Sequence, residues 1–227
     1  MEIFRSEAII LQTVKFKDYD QILNLFSREE GLLNLYVKNA FRSQNGRGTL
    51  TVPLSQAEFV YSKGKSDLFL CREISMIHQH LALRQTMDCL EAACELLQII
   101  QKSLMPHAPA PHLYQLLVSY LQNLPHCQFP HAAVASFQLK VLRHEGLISL
   151  LPICSICRTD LHHQFLAQGE SFCSLHAPAF ALELCPEETL LLQNLAFCKT
   201  FSQIAKISLS DAFKRKIKTL FWDRLHQ

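Results

Sequence analysis

The chain has 227 residues, 49% hydrophobic and 19% charged, which suffices to bury a core in one large domain or a few small ones and excludes wholesale disorder. Six glycines and nine prolines exclude collagen-like and low-complexity architectures, and no apolar run approaches the ~18–20 residues that cross a bilayer. The net charge of +2 is uneven: residues 1–80 carry ten Lys/Arg against nine Asp/Glu, residues 81–198 five against nine, and residues 199–227 seven against two.

The first 80 residues read as β structure. Ala8–Val14 is rich in apolar and β-branched residues, and Gln21–Ser27 alternates roughly between apolar and polar. Glu30-Gly31 supplies a turn, and Leu32–Val37 resumes a strand. Lys38–Leu50 is a loop by composition, holding Ser43, Asn45, Gly46 and Gly48. Ala57–Tyr61 and Asp67–Leu70 flank Ser62–Ser66 as a hairpin. About five strands in a small module is the count of an OB-type barrel, and equally of an SH3-like one.

From about Leu81 the period becomes helical, with Leu90, Ala93, Cys94, Leu97 and Ile100 on one stripe. Pro106, Pro109 and Pro111 interrupt it. Helical stretches follow at His112–Leu124 and His131–His144, the second closed by Gly146. Pro186-Glu187-Glu188 opens another helix with acids at its positive end. Ser210 caps a last one, whose Phe213, Ile217, Leu220 and Phe221 share a face opposite Lys214, Arg215 and Lys218. The fold class expected is therefore α+β and multi-domain. An OB-type β-barrel spans 1–79, a helical domain 80–150 and 182–227, and a zinc-finger-like module 151–181.

That module rests on Cys154-Ser155-Ile156-Cys157 and Cys173-Ser174-Leu175-His176. Two ligands two residues apart grip an ion through a tight turn, and two such knuckles complete a tetrahedron. Three thiolates and an imidazole favour zinc over magnesium or calcium. His162 or His163, in the arm between the knuckles, are alternatives to His176 as the fourth ligand. The other six cysteines (Cys71, Cys89, Cys94, Cys127, Cys185, Cys198) lie in apolar or helical contexts and read as small core residues. Four protein ligands leave no position for substrate, so the site is structural.

Catalytic motifs fail on detail. No H-x-E precedes Cys154, and Pro152 stands one residue too far from it for a deaminase. His144-Glu145 is followed by Ile148 where a zincin needs His. There is no phosphate-binding glycine loop, and a redox role for Cys154 and Cys157 lacks its βαβ context. The chain reads as a non-enzyme. The residues Met1–Glu7 lack the basic-then-apolar layout of a signal peptide, so a soluble cytoplasmic protein is expected.

Cations and rings interleave in the barrel: Lys15, Lys17, Tyr36, Lys38, Phe41, Arg42 and Arg47, with Lys63 and Lys65 at the hairpin tip. OB folds bind single strands with this mixture, cations following phosphates and rings stacking on bases. Loop cations are more commonly just solvated, and Tyr36 is equally a half-buried core residue. Lys214, Arg215 and Lys218 form a further phosphate-binding candidate, a solvated helix face being at least as good a reading.

The run Phe16–Gly31 (FKDYDQILNLFSREEG) resembles the early signature of the bacterial DNA repair protein RecO family: a charged residue and Asp, an apolar strand ending in Phe-Thr/Ser, then Glu and Gly. Lys38-Asn39-Ala40-Phe41-Arg42 is similar to that family's Lys-Gly-Ala-Arg-Arg loop, with Asn39 in place of Gly and Phe41 in place of a cation. Leu142–Gly146 leading into Cys154 resembles the helix end before its zinc module, with His176 where Cys is common. The order of parts matches along nearly the whole chain. The resemblance implies a recombination mediator that binds single- and double-stranded DNA and anneals complementary strands. It also implies work with RecR, contact with the acidic tail of single-stranded DNA-binding protein (SSB), and help in loading RecA. The alternative is a zinc-containing protein-interaction scaffold that binds no nucleic acid.

Overall fold

The computed structural model describes residues 2–42, 51–63 and 68–226. Five strands, β1 (Ile3–Phe16), β2 (Asp20–Ser27), β3 (Gly31–Val37), β4 (Gln56–Ser62) and β5 (Phe69–His78), close a barrel in the order β1-β2-β3-β5-β4. β1 pairs antiparallel with β2 and β4, while β3 meets β5 in parallel through Leu35↔Phe69 and Tyr36↔Leu70. This is the connectivity of an OB-like barrel.

Alternation builds its interior. Ala8, Ile10, Leu23, Leu25, Leu33, Leu35, Val37, Phe59 and Tyr61 point inward and are buried. A register shift between Ile10 and Gln12 bends the long β1, allowing one strand to serve two neighbours. Gly31 turns β2 into β3 at φ +72°, and a Cβ there would collide with the Ala108 carbonyl. β1 extends beyond the expected Ala8–Val14 at both ends. β5 runs on to His78 where the sequence reading stopped at Leu70, because Arg72, Glu73 and Ser75 face solvent and dilute the apolar signal.

The helices are α1 (Met87–Ser103), α2 (Pro111–Asn123), α3 (Pro130–His144), α4 (Pro186–Phe197) and α5 (Asp211–Leu225). α1 to α4 start close to where the sequence breaks predict, and α2, α3 and α4 carry proline in the first turn. α3 ends in a Schellman pair, Gly146 N–H to Arg143 and Leu147 N–H to Leu142. Ser210 Oγ accepts from Phe213 N–H at 3.2 Å, capping α5 as expected. No helix among the described residues is long and apolar enough to cross a membrane.

The chain forms two compact units, Met1–Pro125 and His126–Gln227. The first holds the barrel with α1 and α2; the second holds α3, α4, α5 and the cysteine module. This division follows contacts, whereas 1–79, 80–150 with 182–227, and 151–181 follows changes of element type. In the second unit α3 is buried on almost every side, packing against α4 and α5 through Ala132–Leu139, Val141 and Leu142.

One expectation is corrected. Of the six cysteines outside the module, only Cys71 and Cys89 are buried; Cys127 and Cys198 are half-buried, and Cys94 and Cys185 are exposed. The inward stripe of α1 runs through Cys89, Ala92, Ala93, Leu96, Leu97, Ile99 and Ile100, so Cys94 falls on the outward face. Cys185 sits at the N-cap of α4.

Candidate nucleic-acid interface and metal centre

The strand register gathers several loops at one end of the barrel. Gln21 pairs with Val37 and Phe16 with Asp20, which places the β1–β2 turn beside the segment leaving β3. Tyr36 pairs with Leu70, and Leu70 with Ser62 on its other side. The start of the β4–β5 connection therefore lies two strand spacings, about 10 Å, from Tyr36.

Asp20 ties this end together. Its carboxylate accepts a short hydrogen bond from the Tyr36 hydroxyl and one of 2.8 Å from Asn39 N–H. The Tyr36 bond, then the Asn39 N–H, hold the Asp20 carboxyl below its ordinary value against the opposing effect of burial, with smaller help from Lys17 and Lys38. The same bond pushes the Tyr36 phenol up. Asn39 takes a left-handed backbone, φ 54°, a conformation Asn adopts more readily than most residues. Phe41 N–H donates to Tyr19 C=O at 3.0 Å, joining the two turns directly.

Of the residues expected to bind DNA, Lys15, Lys17, Lys38, Phe41 and Arg42 are exposed at this end. None of the four cations forms an ion pair with a carboxylate among the described residues. Lys15 Nζ lies 5.5 Å from the Phe41 ring centre, and Lys17 Nζ 5.3 Å from that of Phe16. Tyr36 is half-buried, with its hydroxyl engaged and the Phe16 ring nearly perpendicular to its own at 6.0 Å between centres. Its hydroxyl ties the end together, and its ring is less open to solvent than that of Phe41. Lys63 is exposed after β4, whereas Arg47 and Lys65 lie outside the described residues.

The α5 cations are less available. Lys214 pairs with Asp211 at 2.7 Å and Lys216 with Glu188 at 2.7 Å; Arg215 and Lys218 are solvent-exposed by area. Two rings that sequence reasoning passed over, Phe16 and Tyr19, are 40% and 55% exposed at the barrel end. The signal available was their place inside Lys15-Phe16-Lys17-Asp18-Tyr19. Strict alternation would send Phe16 away from both lysines, but Lys17 at φ 56° breaks the strand.

In the second unit the two knuckles converge. Arg158 N–H returns to Cys154 C=O at 3.0 Å, and Ala177 N–H to Cys173 C=O at 3.0 Å, folding each Cys-x-x-ligand segment into a tight turn. The arm between them is a hairpin, β6 (Gln164–Ala167) and β7 (Glu170–Phe172), extended by β8 (Leu182–Leu184) into the sheet β7-β6-β8. Its two-residue loop, Gln168 at φ 50° and Gly169 at φ 83°, has the positive angles of a type I′ turn. Ser155 N–H to Ser171 C=O, 2.8 Å, seats the first knuckle on β7.

The ligand atoms of Cys154, Cys157, Cys173 and His176 all lie within 4.8 Å of one another. Cys157 and Cys173 sulfurs are 3.8 Å apart, Cys154 Sγ is 3.8 Å from His176 Nδ1, and Cys173 Sγ 3.2 Å from it. A tetrahedron of sulfurs at the zinc–thiolate distance of ~2.3 Å has edges of about 3.8 Å, so the set fits a zinc-sized ion. Of the alternatives, His163 Nε2 pairs with Glu183 at 3.1 Å with its ring against Phe165, and His162 is exposed. Burial opposes ionisation of the Cys154 thiol, but the backbone N–H groups of Cys157, Cys173 and Ile156 outweigh it and bring it down to about 6. The Thr159 hydroxyl lowers Cys157, burial raises Cys173, and the Cys154 sulfur raises His176. The arrangement can hold a metal through four protein ligands.

Residues 1–80 match the family model described as Recombination protein O N terminal, and residues 84–221 that described as Recombination protein O C terminal. The chain is 28% identical to the DNA repair protein RecO of Chlamydia pneumoniae over 216 residues, covering 94% of this chain and 85% of that one. It is 27% identical to the DNA repair protein RecO of Chlamydia trachomatis serovar D over 90% of this chain and 84% of the relative. The protein of the same name from Moorella thermoacetica is 27% identical over 82% of this chain and 66% of its own.

Proposed function

This chain belongs to the Recombination protein O family, and on that premise we propose that it is a DNA repair and recombination mediator acting in the cytoplasm. It binds single- and double-stranded DNA, anneals complementary strands, and with RecR assists RecA loading on SSB-coated DNA, contacting the SSB tail. The observation that carries this reading is the grouping of Lys15, Lys17, Lys38 and Arg42 with exposed rings at one end of a closed five-stranded barrel. Lys63 extends the same site, Arg47 and Lys65 join the reading from the sequence alone, and Arg215 and Lys218 on α5 offer a second phosphate contact.

The physics needs no bond chemistry. Two complementary strands repel as polyanions, and cations without carboxylate partners neutralise phosphates and release counterions. Lowering that repulsion lets base pairing take over. The Cys154, Cys157, Cys173 and His176 set holds structural zinc, which would fix the two knuckles against one another and couple metal binding to folding.

Single-strand affinity measured by fluorescence anisotropy across a salt series tests the site. Each phosphate contact contributes a slope of about −0.7, so K38A/R42A flattens the parent's slope by roughly 1.4. An unchanged slope moves the site elsewhere. A second reading, a protein-interaction scaffold, draws support from Leu175, Phe180 and Ile156, which are 87%, 70% and 59% exposed on the cysteine module. Absence of strand binding even at low salt would favour it over the first.

A further inference from the structure

Phe16, Tyr19 and Phe41 are 40%, 55% and 40% exposed on two turns that the Phe41–Tyr19 backbone bond and the Asp20 carboxylate fix together. Water disfavours exposed rings, and although Phe16 packs in part against Tyr36, all three keep a large share of their surface open to solvent. Two of them also have an ammonium group over the ring: Lys17 above Phe16 and Lys15 above Phe41.

Resting on the DNA-binding reading, we propose that Phe16, Tyr19 and Phe41 are the base-stacking residues of this chain and make the barrel end select unpaired over paired DNA. The lysines that cover two of these rings in the free protein transfer to phosphates as bases take their place. A ring can stack only on a base whose face is open; in a duplex each base face is already covered by its neighbour. Cations make no such distinction, because both forms present phosphates. Cations and rings on one surface thus do different work: Lys15, Lys17, Lys38 and Arg42 set affinity for any strand, and the rings set the preference. The ammonium–ring contact is weak at an exposed site, so a stacking base displaces it readily, and the displaced charge is already beside the strand that it must neutralise.

The test compares F16L/Y19L/F41L with the parent on an oligo-dT strand and on a hairpin duplex of matched phosphate count. Leucine keeps the apolar volume and removes the π face. Single-strand binding should weaken by about tenfold or more, given the usual worth of each base–ring stack, with duplex binding within about twofold and the salt slope unchanged. Should the triple variant lose stability, the parent alone decides the matter: an abasic strand of equal charge should bind it about tenfold more weakly than oligo-dT. A parent that binds DNA but treats abasic and normal strands alike, or a folded variant that keeps the parent's single-strand to duplex ratio, overturns this inference and leaves the DNA reading standing. A parent that binds neither strand nor duplex overturns both.

Discussion

Asp20 organises the barrel end: from β2 its carboxylate accepts from Tyr36 on β3 and from Asn39 in the turn after it. Its carboxyl is depressed in the folded protein, chiefly by the Tyr36 hydroxyl and next by Asn39 N–H. A depressed acid stabilises the fold above its unfolded pKa, about 3.9, and that contribution is lost as pH falls through the lower folded value. The barrel end should therefore hold its geometry from neutral pH down to about 4, with no change in strand affinity from this group between pH 5 and 8. Asp20→Ala removes both acceptors, lowering Tm by a few degrees and weakening single-strand binding without altering the salt slope. Asp20→Asn keeps one acceptor oxygen and should lie between the two proteins. Thermal melts and the same anisotropy series read both quantities; a slope that changes with Asp20 would assign it a direct electrostatic role instead.

At the scale of elements, hydrophobic alternation made four of the five barrel strands visible, since Ile10, Leu23, Leu25, Leu33, Leu35 and Phe59 repeat at the period of a half-buried sheet. The run of β5 past Leu70 was hidden, because Arg72 and Glu73 face solvent on a strand whose pairing with β4 is long-range. The Cys154, Cys157, Cys173 and His176 cluster was legible because knuckle spacing is local chemistry. Choosing His176 over His162 and His163 required the fold, which turns His163 toward Glu183. Phe41 was legible among the loop cations, whereas Phe16 and Tyr19 join it only through strand register and the left-handed turn at Lys17. Pairing of Lys216 with Glu188, 28 residues away, was likewise beyond any local pattern. The β6–β7 hairpin gives the sharpest prediction at this scale. Gly169 combines φ 83° with a backbone approach to Leu147 C=O that leaves no room for a Cβ. Gly169→Ala should cost about 2–5 kcal/mol, from left-handed strain of about 1–2 and overpacking of about 1–3. Chemical denaturation would measure it, and a loss under about 1 kcal/mol would mean that the turn relaxes.

For the molecule as a whole, the division into two units separates the Cys/His cluster that could hold a metal from the cations proposed to contact DNA. All four ligands lie in His126–Gln227, and Lys15, Lys17, Lys38 and Arg42 lie in Met1–Pro125. The β6–β7–β8 sheet has three strands of only four, three and three residues, at the short end for strands, so the knuckles and an ion between them would add order that so small a sheet lacks. Every ligand must give up its proton to bind, so acid and chelators both act against the module. Cys154→Ser removes the one ligand that is fully buried, leaving the other three around a weaker site. Such a variant, or the parent treated with a strong chelator, should show lower thermal stability and rapid proteolysis within residues 151–181. On the DNA-binding proposal, whose main contacts lie in the first unit, single-strand affinity should stay within about twofold of the parent's, a change under 0.5 kcal/mol. Melting curves together with anisotropy on one sample decide the point. Equal melting temperatures would remove the structural role of the metal, and a parallel collapse of strand binding would mean that the two units do not act independently.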